Sequence, residues 1–153
     1  MTYQKILLAS HGTRGARAAE LYALDIAADG GHIDHLEIVP DFWKGMMGDD
    51  WLNNSSTQIV FGEYVENQLE NEIQERMEKV KAEVEAAGFG YSAFVDLGKP
   101  TDCLVKQSLS ENYDVIIIGS PRPKGEQGYR SRIHVDELSR AIKAPLLIGP
   151  FPL

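Results

Sequence analysis

The sequence predicts a single α/β domain, a parallel sheet with helices on both faces, and three observations carry that expectation. Short apolar runs such as Ile6-Leu7-Leu8-Ala9 and Val115-Ile116-Ile117-Ile118 alternate with helix-length patterns along the chain. Strands buried on both faces read as such continuous runs. After the fourth run, Gly119-Ser120 leads through a loop and a helix to Leu146-Leu147-Ile148, and right-handed crossovers of this kind cover a parallel sheet. At 153 residues the chain is one ordinary domain, spanning 1–153, that needs no staples.

Taken in order, Ile6 to Ala9 form the first strand, and Ser10-His11-Gly12-Thr13 turn into an Ala-rich helix from about Ala16 to Ala28. Gly30-Gly31 are expected to close that helix. Ile33 to Val39 form the second strand, ended by Pro40, and an irregular insertion follows over about 41–58. This insertion holds Trp43, Met46, Met47 and Trp51; a loop of that length in a compact domain serves as a lid, a binding loop or a subunit contact. Phe61, Val65, Leu69, Ile73, Met77, Val80, Val84 and Ala87 recur at steps of three and four, the stripe of a long helix that Gly88 stops. Tyr91, Ala93, Val95 and Leu97 alternate as a third strand. Gly98-Lys99-Pro100-Thr101 opens a helix to about Asn112, and Val115 to Ile118 form the fourth strand. A last helix runs from about Ser131 to Lys143 with Val135, Leu138 and Ile142 inward, before the fifth strand from Leu146 to Gly149.

Composition narrows the function. Apolar residues make up 43% and charged residues 25%, values of a folded globular chain. A net charge of -8 and a pI near 4.9 set the molecular field against phosphate, which excludes nucleic acid and anionic membranes as general partners. The N-terminal apolar run stops at Ser10 and reads as a strand rather than a signal peptide. The single Cys103 cannot form an internal disulfide, which fits a cytoplasmic protein. It sits in the first turn of a helix, where the dipole can acidify a thiol, but its expected role is packing. No catalytic Ser-His-Asp order, paired-carboxylate site or metal-ligand spacing stands out, so no dedicated enzyme is expected, at most slow and incidental nucleotide hydrolysis.

The stretch Leu97-Gly98-Lys99-Pro100-Thr101-Asp102 to Tyr113-Asp114-Val115-Ile116-Ile117-Ile118-Gly119-Ser120 resembles the universal stress protein (UspA-like) family, as does the ungapped distance from Gly119 to Pro145-Leu146-Leu147-Ile148. The resemblance implies a five-stranded parallel sheet in the order 3-2-1-4-5, of the adenine nucleotide alpha hydrolase-like kind, in a homodimer joined through the last strand at Leu146, Leu147 and Ile148. It also implies a ligand crevice lined by Ala9, Ser10 and His11, by Val39, by Ile118, Gly119 and Ser120, and by Arg122, Arg132, Ile133 and His134. One branch of the family binds ATP or AMP and another does not. The binding branch carries Gly-x-x-Gly, nine residues, then Gly-[Ser/Thr], because only glycine lets main-chain N–H groups converge on phosphate. Aligned from Gly119, those later positions fall on Arg122, Arg132 and Ile133, and Pro121 and Pro123 remove two more donors. Where that branch has an aspartate after the first strand, this chain has His11-Gly12-Thr13.

The pocket is therefore expected to be degenerate for nucleotide, with ATP or AMP binding as the alternative reading. Arg122, Lys124, Arg130 and Arg132 share one loop of an acidic protein, with His134 nearby. Their side chains can hold a phosphate or carboxylate in place of glycine amides; the plain alternative is a set of solvated loop charges. Pro150 and Pro152 limit any extended ladder at the last strand. A remote alternative rests on Ser10-His11-Gly12-Thr13-Arg14, which is similar to the strand-end His-Gly-Ser-Arg motif of small cobalt and nickel chelatases. It lacks a second well-placed histidine, since His32, His35 and His134 lie elsewhere in the sequence. The expected role is a ligand-responsive or interaction protein whose protein partner the sequence does not name.

Overall fold

A computed structural model describes residues 2–10, 14–40, 55–120 and 133–150, without the side chains of 10, 14–15, 39–40 and 55–70. Its elements are β1 (Tyr3–Ser10), α1 (Arg14–Ile26), β2 (Ala27–Pro40), α2 (Ser55–Ala86), β3 (Gly90–Gly98), α3 (Pro100–Ser110), β4 (Val115–Gly119), α4 (Val135–Ala141) and β5 (Leu146–Gly149). The five strands form one sheet in the order β3-β2-β1-β4-β5, every pair parallel.

Both faces of the central strands are buried, which is why the runs are apolar without alternation. On one face, Ile6 and Leu8 of β1 and Val115 and Ile117 of β4 pack with Ala19 and Ala23 of α1 and Val80 and Val84 of α2. On the other, Leu7, Ala9, Ile116 and Ile118 pack with Leu104 of α3 and Leu138 of α4. Val135 and Ile142 lean against that second cluster, as their spacing predicted.

Several boundaries differ from the expected ones. Helix α1 stops at Ile26, because Ala27 is already drawn into pairing with Tyr3. The register then slips between Tyr3 and Lys5, and Gly30, at φ 75°, lies in that irregularity of β2 rather than capping the helix. Helix α2 begins at Ser55, so 55–58 are helical and not part of the insertion, while 41–54 with its tryptophans lies outside the described residues. It ends as predicted: Gly88 has φ 90°, and the Phe89 N–H returns to the Val84 carbonyl at 3.1 Å. Helix α4 is shorter than its pattern suggested, Val135–Ala141, with 131–132 outside the described residues. On β3 the alternation does not mark burial, since Val95 and Leu97 are exposed on this edge strand. There Asp96 Oδ1 accepts a hydrogen bond from the Leu97 N–H at 2.9 Å. The other edge, β5, exposes Ile148 and half-buries Leu146 and Leu147.

Candidate functional site

The strand order places a switch point between β1 and β4. The helix after β1 covers one face of the sheet and the helix after β4 covers the other, the arrangement in which open α/β sheets take ligands beyond the carboxyl ends of the two strands. Their ladder runs from Ile6↔Val115 to Leu8↔Ile117, whereas β4 continues beside β5 to Gly119↔Gly149. Ser10, Gly119 and Ser120 stand at this edge.

Ser120 is its most informative residue. Its N–H donates to the Gly149 carbonyl at 2.9 Å, which fixes the main chain, while its Oγ is buried and makes no hydrogen bond. A buried hydroxyl without a partner costs free energy, and such groups recur where a ligand completes them. The other predicted residues divide. Ala9, Ile118 and Ile133 are buried in the core, so only their main chains can face a ligand. Val39 lies near the end of β2, level with Leu97. His134 is exposed before α4, and its N–H donates to Thr101 Oγ1 at 2.8 Å, which pins the return of the loop to the start of α3. His11, Arg122 and Arg132 lie outside the described residues.

Among the described residues no three His, Cys, Asp or Glu side chains converge as metal ligands, and no helix is long and apolar enough to cross a membrane. The Cys103 thiol is pushed up to about 11, chiefly by burial and then by Asp96 and Asp102.

Two polar groups inside the sheet were not singled out from the sequence. On the α2 side, His35 Nδ1 lies 2.7 Å from the Tyr91 hydroxyl, and Arg76 reaches Glu37 Oε1 at 2.6 Å. Burial, then Arg76, holds His35 down to about 4. On the α3 side, Asp34 meets Tyr113, whose hydroxyl burial pushes above the usual tyrosine range. The available signal was three ionisable residues, Asp34, His35 and Glu37, inside one buried strand.

No protein-family model matches the chain. The universal stress protein MJ0577 of Methanocaldococcus jannaschii is 34% identical over 89 residues, which is 58% of this chain and 54% of that protein, so the match spans about half the relative's length. The solved structure of MJ0577 superposes with a TM-score of 0.76 at 22% identity, covering 98% of this chain and 97% of that one. A universal stress protein in complex with cAMP superposes at 0.60 and 14% identity over 99% of this chain and 100% of the other. A universal stress protein family protein of Arabidopsis thaliana with AMP bound does so at 0.65 and 12% over 97% and 92%. These three superpositions share the fold, and the aligned segment of MJ0577 adds the sequence relation. The chain therefore shares the fold of these universal stress proteins and, over 89 residues, is similar in sequence to one of them.

Proposed function

We propose that this chain is a non-catalytic, ligand-responsive protein whose crevice beyond β1 and β4 takes a phosphate- or carboxylate-bearing ligand. The observation that carries the reading is the buried, unbonded hydroxyl of Ser120 at the switch point. The sequence supplies the charge: Arg122, Lys124, Arg130 and Arg132 lie between Ser120 and Ile133, where glycines would serve a nucleotide-binding relative. A second reading, adenine nucleotide binding, is favoured by the neighbours solved with cAMP and with AMP.

Titration with inorganic phosphate, ATP and AMP separates the two. Saturable anion binding that weakens at least tenfold in Arg122→Ala/Arg132→Ala is the expected result. Unchanged affinity in that variant overturns it, and stoichiometric ATP or AMP retained through purification favours the second reading.

Assembly as a homodimer in the cytoplasm belongs to the same proposal. Support for the contact comes from the β5 edge, where exposed Ile148 lies on an element that packs against α1, which exposes Leu21 and Tyr22. A monomeric mass in light scattering would overturn it.

A further inference from the structure

Away from the ligand edge, near the amino-terminal ends of β1 and β4, the sheet holds a second polar cluster. Asp34 is 2% exposed, in a strand paired on both sides. Its Oδ2 lies 2.6 Å from the Tyr113 hydroxyl, and its Oδ1 lies 3.1 Å from His32 Nε2. The same hydroxyl is 3.2 Å from Glu111 Oε2 and receives a hydrogen bond from Gln107 Nε2 at 3.0 Å. From β1, the Lys5 ammonium pairs with Glu111 Oε1 at 3.1 Å and lies 5.5 Å from the centre of the Tyr113 ring. From β3, Ser92 Oγ sits 2.9 Å from His32 Nε2. Asp114 is engaged separately: its Oδ2 accepts from the Gln4 and Lys5 N–H groups at 3.0 and 2.9 Å.

Hydrogens can be counted here. Tyr113 has one hydroxyl proton and two lone pairs. That proton serves one carboxylate, and Gln107 fills one lone pair. The remaining lone pair faces the other carboxyl group, and that contact is a hydrogen bond only if the carboxyl carries a proton. With both acids ionised, an anionic oxygen would face a lone pair in a half-buried site. Lys5 stabilises an ionised Glu111, while Asp34 is the acid removed from water.

We propose that Asp34, Glu111 and Tyr113 form a proton-held latch, closed by one proton shared between the two carboxyl groups, that fastens the turn after α3 to β1 and β2. Loss of the proton sets two carboxylates against each other and frees the more exposed Glu111 to leave. The electrostatic directions agree. Burial, and then Glu111, raise the Asp34 carboxyl above its ordinary range, against the Tyr113 bond and His32. The bond from Asp34, and then Lys5 and Tyr113, lower Glu111. A raised Asp34 stabilises the fold below the ordinary aspartate range and loses that contribution as pH rises through its folded value. A lowered Glu111 contributes above the ordinary glutamate range and loses it on acidification. The single proton is therefore held, and the latch closed, above the lowered Glu111 value and below the raised Asp34 value.

Carboxyl-carbon NMR titration of the full chain tests the latch. Asp34 is expected to titrate above the ordinary carboxylate range and Glu111 below it, with the Tyr113 ring signals moving at the Asp34 midpoint. Asp34→Asn, an uncharged mimic of the protonated acid, should abolish that Tyr113 movement. Should Asp34→Asn fail to fold, Glu111→Gln reads the same coupling, by moving the Asp34 midpoint down as the neighbouring charge is removed. Two independent carboxylates titrating in their ordinary range overturn the proposal. So does a Tyr113 transition that survives Asp34→Asn, or an Asp34 midpoint indifferent to Glu111→Gln. Inorganic phosphate plays no part in these readouts, so they stand whether or not the crevice takes an anion.

Discussion

Arg76 and Glu37 form an unequal pair, and truncating each in turn should expose the inequality. The Glu37 side chain is 1% exposed and faces α2 from the middle of the sheet, whereas the Arg76 side chain is 31% exposed. Both Nε and Nη2 of Arg76 lie 2.6 Å from Glu37 Oε1. Replacing Arg76 with methionine keeps an apolar stem over the sheet but takes one guanidinium away from a buried carboxylate. Breaking a buried pair in this way costs about 3–5 kcal/mol, and partial exposure of the guanidinium argues for the lower end, about 3 kcal/mol. Glu37→Gln keeps size and an acceptor, and the released guanidinium turns to water, so its cost should be about 1 kcal/mol. In urea unfolding near neutral pH, with a slope of about 2 kcal/mol per molar, Arg76→Met should lower the midpoint by about 1.5 M and Glu37→Gln by about 0.5 M. A loss below about 1 kcal/mol for Arg76→Met, or a Glu37→Gln cost equal to it, would refute the assignment of the charge imbalance to Glu37.

Two further predictions concern titratable groups in the core. His35, held down to about 4 by burial and by Arg76, should show no imidazole shift between pH 8 and about 5.5. Because the unfolded chain takes up this proton near pH 6.5, stability should fall by about 3 kcal/mol between there and pH 4; a midpoint near 6.5 in the folded protein would contradict this. Cys103, pushed up to about 11, should react with iodoacetamide at pH 8 about 100-fold more slowly in the folded than in the urea-unfolded chain. Equal rates would place the thiol in an exposed, ordinary setting.

The order of strands and helices was legible because a parallel sheet covered on both sides demands unbroken apolar runs, and Ile6–Ala9 and Val115–Ile118 are such runs. The end of α1 was not. Ala27 and Ala28 favour helix, and only the pairing of Ala27 with Tyr3, twenty-four positions away, draws the chain into the sheet. Ser120 was visible as the residue closing the β4 turn, but its unbonded hydroxyl depends on packing that no local pattern encodes. The same limit hid Asp34 and Glu37. Their partners, Tyr113 and Arg76, lie 79 and 39 residues downstream, so a local window sees only charges interrupting a strand.

The small contact at the outer strand bears on how the protein behaves in a crowded solution. Among the described residues no strand lies beside the outer edge of β3, and an edge with Phe94, Val95 and Leu97 at least partly in solvent is a template on which further extended chains can grow. By turning its carboxylate onto the Leu97 amide, Asp96 takes one of the main-chain donors such growth would use and sets a negative charge beside it. The charge on this edge thus works against growth of the sheet, and the side chain that carries it also reaches the buried Cys103 thiol.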